Sequence, residues 1–441
     1  MLTHLFQGEL DLLALHHQNP SRYPFLLESV SRSAQNRYSL LFAFPQAHLR
    51  LDSLDQPAFC QCLDEQFQAS TQANNGVDLP FRGGWFLYLG YELAGQLEPT
   101  LNLPSTALPL PIAMAVRIPA AVIIDHISLC TWLVAEPECA HEFTLMQADI
   151  AQLQPLSLPT FQPLPLTLQE DDPEHFTQGV ERIRDYIGAG DVFQVNLSRA
   201  WQGELSAPVN ATELYQRLRI ANPAPFACLA DFGNFTIISS SPERLVKVKD
   251  GWVETRPIAG TRPRGQNADT DQARLAELIA HPKERAEHIM LIDLERNDLG
   301  RLCEYGSVTV DELMVIESYQ HVHHIVSNVK GRLRAGISPG QIIRAVFPGG
   351  TITGCPKVRC MQIIAELEQT GRGAYTGSVG YLNHNGDMDL NILIRTMVKS
   401  GNQLTFRTGA GIVMDSVPAN ELKETGHKAR GLLRALQHAA G

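Results

Sequence analysis

A proline-rich stretch divides the chain into two regions. Residues 151–170, AQLQPLSLPTFQPLPLTLQE, contain four prolines, no basic residue and a single acid at the end. Because proline fixes φ and lacks an amide donor, this stretch predicts an extended connector. We therefore divide the chain into an N-terminal region (1–150), a proline-rich connector (151–170) and a second region (171–441).

The two sides of this boundary differ in charge. Residues 1–170 carry six basic side chains, none of them lysine, against 16 acidic ones, whereas residues 171–441 carry 30 basic and 31 acidic side chains. An acidic chain without a basic stripe is a poor partner for nucleic acid. An anionic small molecule would bind in the near-neutral second region rather than in the first.

The sequence predicts neither a signal peptide nor a membrane span. The N-terminus lacks a basic segment before an apolar run, and no apolar run approaches the roughly 20 residues that cross a bilayer. The eight cysteines form no CxxC pair, and a chain of 441 residues does not depend on disulfides. We therefore expect reduced thiols, a cytoplasmic location, and no membrane or nucleic-acid partner.

Helices and short strands are mixed irregularly in the second region. Asp172 and Pro173 predict a helix start, and apolar residues at helical spacing continue the helix to about Ile187. Alternation predicts a strand over 191–199, with Gln194 on its polar face. We expect further strands at 235–239, 245–248, 325–329, 378–382 and 403–407, and further helices at about 268–280, 282–297, 338–346, 356–369 and 418–438. Separated helices among short strands indicate an α+β fold.

Two pairs of glutamates stand at helical spacing. Glu284 and Glu287 lie three residues apart in one predicted helix, and Glu421 and Glu424 repeat the spacing near the C-terminus. Residues three apart share a helix face, and two such faces across a cleft would offer the oxygen ligands that Mg²⁺ prefers. From spacing alone, two ordinary solvated helix faces are the commoner explanation.

Other segments could bind anions or carry an acid. PGGTITGCPKVR (348–359) places a glycine-rich turn before a helix start, where exposed amides attract anions and Lys357 adds a donor, although it could be a structural turn. RPIAGTRPRG (256–265) could hold carboxylates through arginine or be a basic loop. Glu243 follows a strand and could be a general acid, although such glutamates are more often solvated. The glycines of 408–412 favour a tight bend.

Together these segments resemble a known family, the chorismate-utilising enzymes. This family includes anthranilate synthase component I, aminodeoxychorismate synthase component I, isochorismate synthase and salicylate synthase. The resemblance covers nearly the whole chain and implies a large α/β sandwich of two mainly antiparallel sheets with helices packed outside. The matching segments are PFRGGWFLYLGYEL, GDVFQVNLSR, SSSPER, TRPIAGTRPRG, KERAEHIMLIDLERNDLGR, VHHIVS, FPGGTITGCPKVR, GSVGYL, ILIRT and GAGIV.

The resemblance assigns roles to individual residues. Glu287 and Glu424 match the Mg²⁺ carboxylates of the family, and Glu284 and Glu421 match an outer pair that acts through bound water. Glu243 matches the general acid that protonates the departing C4 hydroxyl of chorismate. The residues that match the surrounding catalytic and substrate-binding wall are Lys428, His324, Thr351, Tyr375, Arg395, Gly409, Ala410, Gly411, Gly260 and Thr261.

Two positions bear on the nucleophile. Isochorismate and salicylate synthases carry a water-activating lysine where this chain has Gln194, so the resemblance implies ammonia as the nucleophile. Ala259 replaces the lysine that many aminodeoxychorismate synthases use as a covalent nucleophile, and PIAGT is typical of anthranilate synthases. VHHIVS is instead similar to the aminodeoxychorismate enzymes, and NPAPFAC (222–228) lacks the tryptophan-responsive NPSPYM, although LLES (26–29) resembles the tryptophan-site motif.

We therefore expect amination of chorismate to 4-amino-4-deoxychorismate, in the folate and para-aminobenzoate pathway, without a covalent lysine intermediate. Formation of anthranilate and pyruvate is the first alternative. A non-catalytic scaffold that binds chorismate or docks a glutaminase is the second. The sequence shows no GxCxGxQ glutaminase pattern, so the resemblance implies ammonia from a separate glutaminase subunit.

Overall fold

The computed structural model describes residues 1–31, 36–70, 78–157, 162–318 and 322–436, without the side chains of Thr261, Lys283 and Val322. The helices within these residues are α1 (Leu12–Gln18), α2 (Phe59–Ser70), α3 (Ala94–Leu97), α4 (Ala140–Ala151), α5 (Pro173–Gly188), α6 (Ala211–Ala221), α7 (Ala268–Ala280), α8 (Pro282–Gly300), α9 (Pro339–Val346), α10 (Lys357–Glu368) and α11 (Pro418–Leu436). None of these described helices is long and apolar enough to cross a membrane.

Twenty-two strands alternate with these helices along the described chain. They are β1 (Leu2–Gln7), β2 (Phe25–Glu28), β3 (Tyr38–Ala43), β4 (His48–Leu51), β5 (Gly84–Leu89), β6 (Ala113–Ile118), β7 (Ala120–Asp125), β8 (Cys130–Ala135), β9 (Leu166–Glu170), β10 (Gln194–Leu205), β11 (Phe226–Asp231), β12 (Thr236–Ser241), β13 (Arg244–Lys249), β14 (Trp252–Thr255), β15 (Ile258–Pro263), β16 (Thr309–Ser318), β17 (Val322–Arg332), β18 (Gly354–Cys355), β19 (Ser378–Asn383), β20 (Met388–Asn391), β21 (Thr396–Ser400) and β22 (Gln403–Ile412).

The strands form two antiparallel sheets. The first has the order β1-β8-β7-β3-β2-β11-β12-β21-β22-β10-β18, with β9 on β10, and the second has the order β15-β17-β14-β13-β20-β19-β5-β6-β4, with β16 on β17. Each sheet mixes strands from before and after the connector, because β2 pairs with β11 and β5 pairs with β19. Both sheets therefore need strands from the N-terminal region and from the second region.

A shared aromatic core holds the two sheets face to face. Phe25 of the first sheet stacks on Phe86 of the second with ring centroids 4.2 Å apart, and both are buried. Helices α6 and α11 pack on the outer face of the first sheet through Leu214 and Leu432, while α2, α8 and α9 cover the second sheet. This α+β sandwich of antiparallel sheets with outer helices confirms the predicted fold class.

The helices of the second region are confirmed within a few residues, because their caps and apolar spacing are local signals. The Asp172 carboxylate accepts from the Glu174 amide, and Pro173 opens α5. The predicted strand at 191–199 instead begins at Gln194 and runs to Leu205. In the connector, α4 ends at Ala151, β9 pairs with β10 over 166–170, and residues 158–161 lie outside the described chain.

A buried ionic network ties helix α10 to β10 and β22. The Glu368 carboxylate accepts hydrogen bonds from the Arg372 Nη2 at 2.7 Å, the Arg407 Nη2 at 3.0 Å and the Ser198 hydroxyl at 2.8 Å. The side chains of Glu368 and Arg372 are each only 1% exposed. Arg372 also donates to the Asn196 carbonyl at 2.7 Å. Two guanidinium groups therefore neutralise a single buried carboxylate.

Replacing Glu368 should destabilise the fold strongly. We expect Glu368→Gln to lower the free energy of unfolding by about 3–5 kcal/mol, because it leaves buried arginine charge without a counterion. Urea unfolding followed by circular dichroism measures the change. The control is Glu366→Gln on the exposed face of the same helix, where an ion pair contributes about 0–1 kcal/mol. Equal losses for both variants would contradict a special role for Glu368.

Candidate active site

Glu243 is a buried acid at the end of β12. Its amide donates to the Ser241 hydroxyl at 3.2 Å, and its carbonyl accepts from the Ile392 amide at 3.0 Å. These contacts fix the backbone at the point where the chain passes from the first sheet to the second. The residue is 6% exposed, so its side chain lies inside the fold and not in solvent as an ordinary strand-end glutamate would.

Burial raises the pKa of Glu243 to about 7, while Thr351, Lys428 and Arg395 oppose the rise. The Thr351 hydroxyl approaches the carboxyl group but falls short of hydrogen-bond geometry, since neither Thr351 Oγ1 nor Glu243 Oε1 has a partner among the described residues. A carboxyl group with a pKa near neutrality can hold a proton and release it during a reaction. Glu243 therefore has the properties of a general acid.

Cationic and neutral donors surround this acid. Burial lowers the pKa of the Arg395 guanidinium, and the charge of Glu243 opposes that change. Arg395 has a left-handed φ of 52°. Burial, together with the charge of Arg395, lowers the pKa of His324 to about 3, so this imidazole is neutral near pH 7. A guanidinium near a neutral histidine suits a bound carboxylate.

Glycines of β22 leave space on the polar face of β10. A Cβ atom on Gly411 would lie 2.3 Å from Gln194 Nε2, and one on Gly409 would lie 2.8 Å from both Asn196 Oδ1 and Tyr375 Oη. These two glycines are needed because polar side chains pack directly on their Cα atoms. Ala410, between them, pairs with Leu197 and is fully buried.

Lys428 connects helix α11 to this surface. Its Nζ donates to the Gly409 carbonyl at 3.0 Å and pairs with Glu424 Oε1 at 2.8 Å. Thr425, the next residue, receives a hydrogen bond from Arg199 Nε at 2.9 Å. Helix α11 is thereby anchored to both β10 and β22 beside the glutamates that it carries.

The predicted metal glutamates are divided between two helices. Glu284 on α8 pairs with Arg262 Nη1 at 2.7 Å, and Gly260 with φ +60° leaves room for its carboxylate, because a Cβ there would lie 2.4 Å from Glu284 Oε2. Among the described residues, no three acidic, histidine or cysteine side chains converge on one point. The donors are nevertheless all carboxylates, which fits Mg²⁺.

Electrostatic contacts place both helices around the acid. The charge of Lys428 on α11 lowers the pKa of Glu243, and the charge of Glu243 raises the pKa of Glu295 on α8. The two helices that carry the glutamate pairs therefore both lie near Glu243. The role of these glutamates as metal ligands stays a prediction.

Strand β15 places the remaining predicted residues beside β17. Ala259 pairs with Ile325, and Thr261 pairs with His324, with a bulge at Gly260 between them. The Gly260 backbone hydrogen-bonds the His324 ring and raises its pKa slightly against the larger effect of burial. The Thr261 side chain lies outside the described part of the chain.

Sequence reasoning missed a buried charged cluster behind the site. Lys357, which the glycine-rich segment offered as an anion donor, is instead paired with the buried Asp298 at 2.6 Å. Burial raises the pKa of the neighbouring Glu295 to about 7, and Asp298 adds to the rise. The spacing of Glu287 and Glu295 on one helix could have indicated Glu295, since residues eight apart lie near the same face.

A separate cavity of about 500 Å³ lies between the sheets, away from the Glu243 carboxyl group. Leu27, Glu28 and Ser29 of the LLES segment contribute to its wall, opposite Arg244 and Asp389. Arg244 pairs with Asp389 at 2.8 Å, so this wall is already neutralised. The cavity therefore lies at the LLES segment and not at the site around Glu243.

The raised pKa of Glu243 gives a stability test. A folded-state pKa above the unfolded value means that the folded protein loses stability as pH rises from about 4.5 to 7. Glu243→Gln removes this ionisation. We therefore expect the change that it causes in the free energy of unfolding to be more favourable at pH 8 than at pH 5, by about 1–3 kcal/mol.

Urea unfolding at both pH values measures this difference. The exposed Glu181 on α5 supplies the control, because Glu181→Gln should change stability equally at pH 5 and pH 8. A Glu243→Gln variant whose stability relative to the wild type is the same at both pH values would show that Glu243 ionises normally.

Comparison with known proteins agrees with this geometry. A family model described as chorismate binding enzyme matches residues 23–434. An anthranilate synthase component I-like protein from Synechocystis sp. is 45% identical over 360 residues, which is 81% of this chain and 74% of that protein. Aminodeoxychorismate synthase component 1 from Bacillus subtilis is 45% identical over 371 residues, which is 81% of this chain and 77% of that protein.

A solved structure extends the similarity to the fold. The crystal structure of anthranilate synthase component I from Streptococcus pneumoniae superposes with a TM-score of 0.80 at 32% identity, covering 91% of this chain and 93% of the other. The sequence similarity and the shared sandwich fold therefore both cover most of the chain. The chain belongs to the family of chorismate-binding enzymes.

Proposed function

We propose that this protein aminates chorismate with ammonia to give 4-amino-4-deoxychorismate. The observation that carries the proposal is the buried carboxyl group of Glu243, whose pKa is raised to about 7, near the half-buried Arg395. An acid of this kind can protonate a departing hydroxyl group, and an arginine can hold a substrate carboxylate. Gln194 in place of lysine supports ammonia over water as the nucleophile.

The reaction balances with Glu243 as the only proton carrier. The nitrogen lone pair forms a C–N bond, the C4–O bond breaks, and Glu243 gives its proton to the leaving hydroxyl, which departs as water. The new ammonium group then loses one proton, which restores the acid. Arg395, Tyr375 and the glycine-lined surface of β22 hold the ring while His324, neutral at pH 7, donates a hydrogen bond without adding charge.

Mg²⁺ would be held by Glu287 and Glu424, with Glu284 and Glu421 acting through water. When bound, the ion supplies Lewis-acid polarisation and orients the substrate. The chemistry of the donors supports this assignment, because all four are carboxylates on two helices.

Ala259 supports a path without a covalent enzyme intermediate. A methyl group cannot attack C2, and the nearby lysines are engaged: Lys428 with Gly409 and Glu424, and Lys357 with Asp298. Ammonia would therefore displace the hydroxyl at C4 directly, or a small nucleophile would add transiently at C2 first.

Formation of anthranilate and pyruvate is the second candidate. Ala259 within PIAGT favours it, and the relatives at 45% identity include both an anthranilate synthase component I-like protein and an aminodeoxychorismate synthase. A non-catalytic scaffold would have no physical reason to keep four carboxylates on two helices around a buried acid. We propose a separate glutaminase subunit as the ammonia source in either case.

Product identity tests the proposal. The protein incubated with chorismate, Mg²⁺ and ammonium chloride should release a product with the mass of 4-amino-4-deoxychorismate, without pyruvate. Intact-protein mass spectrometry without ammonia should show no substrate adduct on any lysine. Glu243→Gln is the inactive control, since losing a general acid lowers kcat by about 10²–10⁴-fold. Release of fluorescent anthranilate with pyruvate would establish the second candidate instead.

Removing a predicted ligand should weaken metal binding. We expect Glu424→Gln to weaken Mn²⁺ binding, measured by electron paramagnetic resonance, and to raise the Mg²⁺ concentration needed for activity by at least about tenfold. The matched control is Asp293→Asn, an exposed carboxylate on α8 that pairs only with Arg296 among the described side chains. Unchanged Mn²⁺ binding by Glu424→Gln would show that the site lies elsewhere.

A further inference from the structure

Two amide oxygens on β10 are buried without a hydrogen-bond donor. Gln194 Oε1 and Asn196 Oδ1 have no partner among the described residues, and Asn196 is only 9% exposed. They lie two residues apart on one strand, so their side chains share a face. A buried acceptor without a donor costs about 1–3 kcal/mol, which a bound ligand with N–H or O–H groups would offset.

Backbone hydrogen bonds hold Asn196 in place next to the acid site. The Asn196 backbone N–H donates to the Thr353 carbonyl at 2.9 Å, and the Asn196 backbone carbonyl accepts from Arg372 Nη2 at 2.7 Å. Asn196 Oδ1 and Tyr375 Oη lie 2.8 Å from the same point above Gly409, whose carbonyl accepts from Lys428. Lys428 in turn acts on Glu243. The two acceptors therefore border the space in which the proposed reaction occurs.

The chemistry of the acceptors selects the ligand. An amide oxygen accepts a hydrogen bond but cannot remove a proton, so it cannot activate water. Ammonia needs no base, because its lone pair is already free to attack. Two amide oxygens that each accept one N–H would orient that lone pair away from β10 and toward the ring.

We propose that Asn196 is a further ammonia-binding residue, which together with Gln194 forms a subsite for the nucleophile. The inference rests on the proposed amination of chorismate and adds a residue that orients the incoming nitrogen. Asn196 binds ammonia through its side-chain oxygen, which lies beside Gly409, while the Asn196 backbone pairs with Gly411.

Steady-state kinetics with ammonium chloride as the nitrogen source tests the subsite. With saturating chorismate and Mg²⁺, we expect Asn196→Ala to raise the KM for ammonia about tenfold, the effect of losing one hydrogen bond. Chorismate affinity, measured by calorimetry without ammonia, should change less than about twofold. Normal chorismate binding also shows that the variant is folded. Asn196→Asp retains the acceptor oxygen and should restore the KM.

A second buried asparagine provides the matched control. Asn383 is bonded at both ends, to the Arg82 amide at 2.9 Å and the Pro80 carbonyl at 2.8 Å, far along the chain on the second sheet. Asn383→Ala should leave the KM for ammonia unchanged, since KM does not depend on how much enzyme is folded.

The outcomes separate this inference from the proposed function. An Asn196→Ala variant with normal KM for ammonia but weakened chorismate binding would show that the oxygen holds a substrate hydroxyl, and the inference would be wrong. A normal KM for ammonia together with normal chorismate affinity would show that Asn196 has only a structural role, and the inference would again be wrong. A wild-type protein that binds chorismate but never turns over with ammonium would overturn the proposed function itself.

Discussion

The structure depends on one buried carboxylate, Glu368, shared by Arg372 and Arg407. These three charges join the end of α10 to β10 and β22, and each partner comes from a different segment of the second region. Buried charge is costly unless it is paired and hydrogen-bonded, so the arrangement that pairs Glu368 with both arginines is favoured. That arrangement fixes the polar face of β10 against the glycines of β22.

The candidate site lies on this fixed surface. Arg372 stacks on Tyr375, with its guanidinium carbon 5.5 Å from the ring centre, and holds the Asn196 carbonyl, so it positions two groups of the site. Helix α11 is attached to the same strands through Arg199 and Lys428. Strands β10 and β22 thus position the candidate binding groups, while helices α8 and α11 carry the predicted metal carboxylates. Burial raises the pKa of Glu243 to about 7, and the neighbouring cations limit how far this pKa rises.

Local signals made much of the fold predictable. Helix α5 has its own cap at Asp172 and its own apolar spacing, and the alternation around Gln194 identified the polar face of β10 before its partner strand was known. The prediction of a tight bend over 408–412 was wrong, because β22 continues through these glycines to Ile412. Only the pairing of β10 with β22 shows that Gln194 and Asn196 pack on the Cα atoms of Gly411 and Gly409. Lys357 could be an anion donor by its sequence position, but it forms an ion pair with the buried Asp298, 59 residues earlier in the chain.

The sequence by itself determined most helices of the second region, the α+β class and, through a resemblance spread over ten segments, the family and its candidate residues. It could do so because caps, periodicity and motifs are properties of neighbouring residues. Only the tertiary structure decided that strands from both sides of the connector share both sheets, and that Glu243 is buried. It also decided that two amide oxygens of β10 lack donors. Burial and hydrogen-bond partnership depend on residues far apart in the chain, so no local pattern contains them.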